Sequence, residues 1–276
     1  MADIKAADVA KLRKMTGAGM MDCKKALKEA DGDFNKAIEI IREKGQAIAN
    51  KRADRDATEG AVIAKISDDG KLAAIVSLNC ETDFVAKNDS FVQLATAIAD
   101  VALANNPANL DELKELNVEG MKIAEKVMEQ TGVIGEKIEL AYFDKITAEQ
   151  VVAYIHPGNK LATVAGFNVA GMDTQIYRDV AMQIAAMDPV ALSKEDVPQT
   201  IQDEEFKIGR EQARLEGKPE KILDKIAEGR LNKFFKERTL LNQEFVKDNK
   251  KTIAQYLKEQ NGDLTVTSFK RFTLNA

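Results

Sequence analysis

A strand pattern that recurs at a fixed distance of 89 residues is the strongest constraint on the fold of this chain. Residues 62–66 (Val-Ile-Ala-Lys-Ile) align with 151–155 (Val-Val-Ala-Tyr-Ile), and 71–73 (Lys-Leu-Ala) align with 160–162 at the same offset. In both copies alternating apolar residues predict two strands joined by a polar turn, and a helix pattern follows. A strand hairpin followed by a helix, present twice, predicts an α+β fold with two related subdomains whose sheets are antiparallel.

The chain is 276 residues long, which is too long for one ordinary hydrophobic core and predicts two or three domains. The two copies of the repeat predict a core subdomain N at 56–145 and a core subdomain C at 146–198 together with 239–276. Residues 1–55 contain three short helical patterns separated by glycine-containing turns, and predict a three-helix module with its linker. Residues 199–238 contain two helical patterns on either side of a Gly-Lys-Pro turn, and predict a helical hairpin inserted into subdomain C.

Local signals set expectations for individual helix ends. Asp22 is predicted to cap the second helix of the N-terminal module, and Gly45 is predicted to end the third. The polar residues 46–58 have no wide apolar stripe, and are then predicted to form a solvated helical linker. After the second strand of the first copy, a long helix is predicted to start near Ser90.

The inserted hairpin has a narrow apolar stripe, formed by Ile201, Ile208 and Leu215. A stripe this narrow favours a hairpin that covers a partner surface, and the expected partner is a second copy of the chain. The alternative is that the hairpin lies on the core of its own chain.

Composition argues against several classes of partner. The formal net charge is −5, and no block of Lys and Arg is interleaved with aromatic residues, which argues against direct nucleic-acid binding. No apolar run reaches the roughly 18 residues of a membrane span, and residues 1–5 contain no apolar signal core, so we expect a cytoplasmic protein without membrane contact. Cys23 and Cys80 lie far apart in the sequence and are expected to be free thiols in a reducing compartment.

Groups suited to catalysis are scarce in this sequence. His156 is the only histidine, and the His-Pro-Gly-Asn turn that contains it is more often a plain turn than a catalytic site. No Cys/His cluster has the spacing of a zinc site. Gly17 and Gly19 with Lys24 lack the spacing of a phosphate-binding loop, and they follow a helical pattern rather than a strand. We therefore expect no catalytic residues, no cofactor and no bound metal.

Residues 80–89, Cys-Glu-Thr-Asp-Phe-Val-Ala-Lys-Asn-Asp, join an apolar strand pattern to the helix expected near Ser90. We therefore expect them at the open end of a sheet, on the exposed first turn of a helix. An acid beside a large aromatic residue suits partner binding there, because Asp83 can disturb a cation site while Phe84 enters an apolar crevice. The alternative is structural: aspartate commonly caps helices, and Phe84 can belong to the core.

A second segment, 13–27, contains a glycine turn followed at once by Met20 and Met21. Methionine is polarizable and adapts to the shape of a partner's groove, so this turn suits a docking contact. Arg13, one helix earlier, can add a charged anchor. The alternative is that the methionines are structural, and we expect one of the two to pack inward and the other to be exposed.

Three functions of different classes remain open at this point. The first, which a family resemblance of segments 13–27 and 80–89 implies, is a GTPase exchange factor that acts by protein contact. The second is a small-molecule enzyme that uses carboxylates or His156, and the third is a passive adaptor that binds through its N-terminal module. The scarcity of histidine and of cofactor motifs argues against the enzyme. The adaptor leaves Asp83 and Phe84 without a role.

Together, segments 13–27 and 80–89 closely resemble the bacterial elongation factor Ts family, and the resemblance extends over nearly the whole chain. It implies a translation factor that is the guanine-nucleotide exchange factor of the GTPase elongation factor Tu. It also implies that the N-terminal module is similar to a ubiquitin-associated domain. Arg13, Met20 and Met21 match the positions through which that module docks on the nucleotide domain of the GTPase.

The resemblance also assigns the exchange step to one short stretch. In this family a Thr-Asp-Phe-Val stretch inserts between helices of the GTPase near its magnesium site. The matching residues here are Thr82, Asp83, Phe84 and Val85. They are therefore expected to dislodge the partner's Mg²⁺, while this chain itself binds no metal.

Further partner contacts are implied in subdomain C. His156 matches a family histidine that approaches another domain of the GTPase, and Phe245 with Val246 matches a later Phe-Val pair. Lys247 departs from the family pattern, because an apolar residue is sometimes found at its position.

Two more implications concern the insert and the end of the sequence. Residues 199–238 resemble the family's dimerisation region, which adds to the expectation of a homodimer. Some members carry a C-terminal helical module after the closing strand, and this sequence, which runs to Ala276, is expected to lack it.

Overall fold

Three helices form the N-terminal part of the molecule, as predicted. The computed structural model describes residues 4–274, so the first three and last two residues, on which the expectations about the chain ends depend, lie outside the described residues. The helices are α1 (Ala6–Thr16), α2 (Met20–Glu29) and α3 (Phe34–Arg52). The residues buried between them include Val9, Leu12, Cys23, Ala26, Leu27 and Ala37.

The first copy of the repeat contains five strands and four helices. In chain order they are β1 (Glu59–Ile66), β2 (Leu72–Cys80), α4 (Asp83–Ala86), α5 (Asp89–Asn105), α6 (Leu110–Glu115), β3 (Asn117–Val118), β4 (Met121–Lys122), α7 (Ile123–Ile134) and β5 (Glu139–Thr147). The main sheet is antiparallel in the order β1-β2-β5, and β3 and β4 form a small separate ladder.

The second copy, with its insert, completes the chain. Its elements are β6 (Gln150–Ile155), β7 (Leu161–Phe167), α8 (Thr174–Met187), α9 (Gln199–Leu215), α10 (Leu223–Arg238), β8 (Glu244–Phe245), β9 (Asp248–Thr252), α11 (Ile253–Gln260) and β10 (Val266–Thr273). Its main sheet is antiparallel in the order β10-β7-β6. In both sheets the second strand of the hairpin is central and a later strand pairs with it, so the predicted α+β fold with two related units is confirmed.

Both hairpins are apolar throughout because successive side chains of a strand point to opposite faces of the sheet, and both faces are buried here. One set of side chains in β1 and β2 packs beneath α5: Ala61, Ile63, Ala74, Val76 and Leu78. The other set shares a core with β6 and β7 of the second sheet: Val62, Ala64, Ala73 and Ile75, against Val151, Ala162 and Val164. On the far side, Val152, Ala165 and Phe167 pack beneath α8. The two sheets therefore lie face to face, with one helix covering each outer surface.

α3 is longer than predicted and is part of an interface with α7. It does not end at Gly45 but continues to Arg52, so part of the predicted linker is the last two turns of this helix. Gly45 lies directly against Gly132 of α7, and the Cα of Gly45 occupies the space that a Cβ on Gly132 would need. The sequence did not reveal this, because the packing partner that supports the polar end of α3 lies far away in the chain.

One other helix start differs from the prediction, and another agrees with it. Asp22 is the third residue of α2, whose N-cap is Gly19, so it does not cap that helix. The helix predicted near Ser90 starts at Asp89, where Asn88 accepts a hydrogen bond from the Ser90 backbone N–H. The single turn α4, which precedes it, was not predicted as a separate helix.

Residues 199–238 form the predicted antiparallel helical hairpin, built from α9 and α10. Arginines connect its two arms, because Arg210 pairs with Asp224 and Arg230 pairs with Glu216, each at 2.7 Å. Ile208 and Leu215 of the apolar stripe are exposed. Within residues 4–274, no helix combines the length and the apolar character needed to span a bilayer.

The close contact between α3 and α7 predicts that alanine destabilises the protein at Gly132, whereas at a glycine outside this contact it should stabilise the protein. Gly132→Ala is expected to lower the free energy of unfolding by about 1–3 kcal/mol, because the added methyl group must push α3 away from α7. Gly229→Ala, in α10, is the control: its Cβ would meet nothing within 4 Å, so better helix propensity should raise stability by about 0.5–1 kcal/mol. Urea denaturation measures both values, and stabilisation by both substitutions would contradict the close approach of α3 and α7.

Candidate partner-binding site

Phe84 lies on a single helical turn that projects between β2 and α5. The N-cap of this turn, Thr82, has an extended backbone. Ala86 is buried and Val85 packs against the core beneath α5, whereas Phe84 is 84% exposed. The prediction that this stretch lies on an exposed helical turn is confirmed, and the alternative that Phe84 belongs to the core is wrong. An exposed aromatic ring on a turn whose base is buried suits a partner contact, because aromatic residues are enriched at protein–protein interfaces.

Asp83 places a negative charge beside that ring. Its Oδ2 accepts a hydrogen bond from Lys87 Nζ at 2.6 Å. This bond lowers the pKa of Asp83 below its ordinary value, and the positive charges of Lys87 and Lys160 act in the same direction. Asp83 is therefore ionised at neutral pH, and its carboxylate can accept hydrogen bonds from a partner that displaces Lys87.

Glu81 anchors the base of the turn. Its Oε1 accepts hydrogen bonds from Arg52 Nη1 at 2.7 Å and from the Lys137 backbone N–H at 2.6 Å, and its Oε2 accepts one from Arg55 Nη1 at 3.1 Å. The hydrogen bond from the Lys137 backbone N–H is the main cause that lowers the pKa of Glu81 to about 2, and the two arginines add to it. A carboxylate with three donors is a strong tie between the end of α3, the segment after α7 and the Phe84 turn.

The turn between α1 and α2 is preceded by Arg13 and Met15 and followed by Met20 and Met21. Gly17 has a φ of 70°, and its N–H donates to the Arg13 carbonyl at 2.7 Å, which reverses the chain sharply. Met20 and Met21 are both exposed, by 41% and 64%, so the prediction that one packs inward is wrong. The inward positions beside this turn are taken by Ala18 and Cys23 instead. Arg13 is exposed on the last turn of α1.

The second unit places its predicted contact residues differently. His156 is exposed at the end of β6, and its Nδ1 lies 3.0 Å from Tyr154 Oη. Phe245 is buried and its ring stacks on Tyr256 at 4.4 Å, so it supports its loop and does not offer a surface to a partner. Val246 is about half exposed. Lys247 donates to the buried Asp179 at 2.7 Å, which fixes this loop on α8.

The end of α7 joins the methionine turn to the Phe84 turn. A Cβ on Gly17 would lie 3.6 Å from Val133 Cγ1, so the methionine turn rests on the last turn of α7. Just beyond that helix, Glu136 accepts two hydrogen bonds from Thr82. Two segments that are far apart in the sequence therefore both contact the region where α7 ends.

The turn that contains His156 lies against the same unit. The Asn159 carbonyl accepts a hydrogen bond from the Val62 N–H at 2.7 Å, and Lys160 pairs with Glu59 at 2.7 Å. The structure thus brings the His156 turn to the side of the first unit that carries Asp83. Val246 is not part of this group, since its N–H is bound to Gln183 on α8.

Sequence reasoning missed several residues at this site. Met15, near the end of α1, is 56% exposed and precedes the turn that Met20 and Met21 follow. Its position in the Arg-Lys-Met run of segment 13–27 was an available signal. Glu136 had no such signal, because nothing in its neighbourhood resembles a motif. Within the part of the chain that the structure describes, no three His, Cys, Asp or Glu residues gather in a way that could hold a metal ion.

Comparison with known proteins identifies close relatives along the whole chain. A profile of the family described as Elongation factor TS matches residues 81–276. Elongation factor Ts of Porphyromonas gingivalis is 56% identical over 270 residues, which cover 98% of this chain and 97% of the relative. Elongation factor Ts of Christiangramia forsetii is 51% identical over 276 residues, with 99% and 100% covered, and that of Parabacteroides distasonis is 41% identical over 327 residues, with 98% of each covered.

The hydrogen bonds of Glu81 predict a pH-dependent contribution to stability. Because the folded-state pKa of about 2 lies below the ordinary value of 4.5, the contribution is complete above pH 4.5 and is lost as the pH falls through about 2. Glu81→Gln should therefore unfold more easily than the wild type at neutral pH. The difference in unfolding free energy between the two proteins should shrink as the pH falls below 4.5. Urea denaturation over a pH series measures this difference, and a difference that does not change with pH would contradict the assignment.

Proposed function

The chain belongs to the elongation factor Ts family of translation factors, and we propose that it is the guanine-nucleotide exchange factor of elongation factor Tu, acting in the cytoplasm. The observation that carries the proposal is the exposed ring of Phe84 on a braced turn within the Thr-Asp-Phe-Val stretch. A ring that the free protein leaves in water, next to an ionised carboxylate, suits a partner that offers an apolar crevice and hydrogen-bond donors. The chain itself contributes contacts and no catalytic chemistry.

The proposed exchange step acts on the magnesium site of the partner. A GTPase holds GDP through phosphate contacts and through a Mg²⁺ that requires near-ideal octahedral geometry. Phe84 enters between helices of the GTPase beside this site, while Asp83 competes for hydrogen bonds that orient the residues around the metal. A small shift of those supporting groups weakens metal binding, because the groups that hold metal ligands in place are part of the site. Thr82 and Val85 hold the ring and the carboxylate in position.

Docking is proposed to use the N-terminal module, residues 1–55. Arg13, Met20 and Met21 form an exposed, adaptable apolar surface with one cation, and Met15 extends it. His156 and Val246 are proposed as secondary contacts on the second unit. The exchange factor binds the nucleotide-free GTPase most tightly. By thermodynamic linkage, it must then weaken nucleotide binding to the GTPase by the same ratio by which nucleotide weakens binding of the exchange factor. Rebinding of GTP then releases it.

The hairpin 199–238 is proposed to join two copies of the chain. Ile208 is exposed and Leu215 is 81% exposed, although both arms of the hairpin are tied together by ion pairs. A second hairpin with the same stripe would cover these side chains. The proposal is separate from exchange, because Phe84 lies in the other unit.

Phe84→Ala tests the exchange function. Loss of an aromatic anchor at an interface centre commonly costs about 2 kcal/mol or more, so stimulated GDP release should slow roughly thirtyfold. Release of a fluorescent GDP from elongation factor Tu measures the effect. The variant should unfold like the wild type, because the ring makes little contact within its own chain.

Leu215→Ala is the matched control for that experiment, since it removes an equally exposed apolar side chain from the hairpin. It should leave the release rate unchanged. Wild-type stimulation by folded Phe84→Ala would refute the proposed entry of the Phe84 ring between helices of the GTPase. A protein that binds elongation factor Tu without accelerating release would instead be the passive adaptor.

The dimer proposal is tested by placing charges on the stripe. The double variant Ile208→Lys/Leu215→Lys should sediment as a monomer and still catalyse exchange. Val190→Lys, at an exposed position outside the hairpin, should sediment like the wild type. Analytical ultracentrifugation measures the oligomeric state of the wild type and of both variants. A wild-type chain that is already monomeric at tens of micromolar, roughly the range in which weak interfaces form, would rule out self-association.

A further inference from the structure

Two glutamates connect the Phe84 turn with the segment that follows α7, each in the opposite direction. Glu136 accepts the Thr82 backbone N–H at 3.0 Å through Oε2 and the Thr82 hydroxyl at 2.7 Å through Oε1. Glu81 accepts the Lys137 backbone N–H at 2.6 Å. Each carboxylate thus binds the backbone amide of the residue next to the other. We call this arrangement of residues 81, 82, 136 and 137 the clasp.

The clasp is also tied to the N-terminal module. Arg52, the last residue of α3, donates to Glu81 at 2.7 Å, and Arg55 donates to it at 3.1 Å. Lys137 Nζ donates to the carbonyls of Ala53 and Arg55, at 3.0 and 2.9 Å. The end of α3 and the residues just after it therefore contact both segments of the clasp, 81–82 and 136–137. The N-terminal module and the Phe84 turn thus share one set of charged hydrogen bonds.

The Phe84 turn needs external support. α4 has only four residues, and a helical turn of that length does not hold its shape in water without other contacts. The ring itself supplies none, since it faces solvent. The direction in which Phe84 projects is therefore set at the two ends of the turn, where Ala86 enters the core and Thr82 enters the clasp.

The hydrogen bond of the Thr82 hydroxyl is further evidence that the clasp supports the Phe84 turn. A threonine at an N-cap ordinarily accepts a hydrogen bond from a backbone N–H in the first turn of its own helix. The Thr82 side chain makes no such bond in α4. It donates to Glu136 instead, so the residue that ordinarily stabilises the helix stabilises its attachment to the rest of the molecule.

We propose that Glu136 and Glu81 are positioning residues for nucleotide exchange: they fix the direction of Phe84 relative to the docked N-terminal module. This rests on the proposed exchange function and adds a requirement to it. Docking alone brings the ring near the GTPase, whereas the clasp holds it at the angle at which it enters. Misplacement of a reactive or wedging group by about an ångström is enough to reduce a rate strongly.

Substitutions at Glu136 separate the geometry of the clasp from its charge. Glu136→Ala removes both acceptors for Thr82. Glu136→Gln keeps the shape, because its carbonyl can accept the Thr82 N–H while its NH₂ group donates to the Thr82 hydroxyl oxygen. Glu115→Ala is the matched control, because it removes an exposed glutamate that pairs with Lys122 at 2.7 Å away from the clasp.

The first measurement is GDP release from elongation factor Tu over a range of factor concentrations. Glu136→Ala should lower the maximal stimulated rate about tenfold, while the concentration of factor at half-maximal rate changes less than about threefold, because the docking surface is intact. Glu136→Gln should recover most of the rate, and Glu115→Ala should match the wild type. An unchanged maximal rate in folded Glu136→Ala would overturn the proposal, as would a loss confined to the half-maximal concentration.

A double variant tests whether Glu136 acts through the ring. Since the proposed effect of the clasp is to aim Phe84, Phe84→Ala/Glu136→Ala should be no slower than Phe84→Ala alone. Independent, multiplying losses would overturn the proposal. Amide hydrogen exchange gives a readout without the partner: the Thr82 amide should exchange faster in Glu136→Ala and at the wild-type rate in Glu115→Ala. Equal protection in all three proteins would also overturn it.

Further variants keep the two proposals distinguishable. If Glu136→Ala does not fold, Thr82→Val removes only the hydroxyl bond and should lower the maximal rate in the same way; a wild-type rate would reject the clasp. If Phe84→Ala slows release but Glu136→Ala and Thr82→Val do not, the exchange function stands and the clasp fails. If the wild-type protein does not accelerate release, both proposals fail.

Discussion

Burial of both faces of the two strand hairpins holds this molecule together. One face of each hairpin lies beneath a helix, and the other faces join in a single apolar layer that includes Val62, Ile75 and Val164. Each square ångström of apolar surface removed from water contributes about 25 cal/mol, so this layer fixes how the two units sit against each other. The position of Lys160 and the His156 turn beside Asp83 depends on it, because these groups belong to different units and meet only where the sheets are stacked.

The contact of α3 with α7 sets the second part of the frame. Because Gly45 and Gly132 lack side chains, the two backbones meet directly at this point, whereas side chains usually hold the axes of packed helices roughly 8–10 Å apart. α3 can then run along α7 and bring Arg52 to Glu81. The exposed methionines, the ring of Phe84 and the end of α7 therefore belong to one connected body. A partner that binds the methionine turn meets the ring in a fixed relation to it.

The parts of this structure that local periodicity encodes could be predicted from the sequence. Both strand hairpins, their following helices and the helical hairpin follow from apolar spacing and turn residues, and the fold class follows from their repetition. Features that depend on distant partners could not be predicted in this way. The packing of α3 on α7 depends on Gly132, which is far from α3 in the chain, and the clasp depends on Glu136, whose sequence surroundings are unremarkable.

At the candidate site the sequence indicated the residues but not their exposure. The motif at 80–89 left Phe84 as either a core or a surface residue, because an aromatic beside a buried strand suits both. Its exposure depends on which side of a four-residue turn enters the core, and Val85 with Ala86 takes that place. Met20 and Met21 were misjudged for a similar reason: Ala18 and Cys23 are small enough to fill the space beneath the turn, so neither methionine is needed there.

Cys80, which ends β2 directly before the clasp, has a consequence for the chemistry of this surface. Burial, with the negative charge of Glu136 nearby, raises the pKa of its thiol to about 12, and its Sγ–H donates to the Thr82 carbonyl at 3.2 Å. The thiolate is the form that reacts with oxidants and alkylating agents, and it is essentially absent at physiological pH. Cys80 lies only three residues before Asp83, the first residue of the Phe84 turn, and it is thereby kept inert. The geometry of the turn is therefore insulated from changes in the redox state of its surroundings.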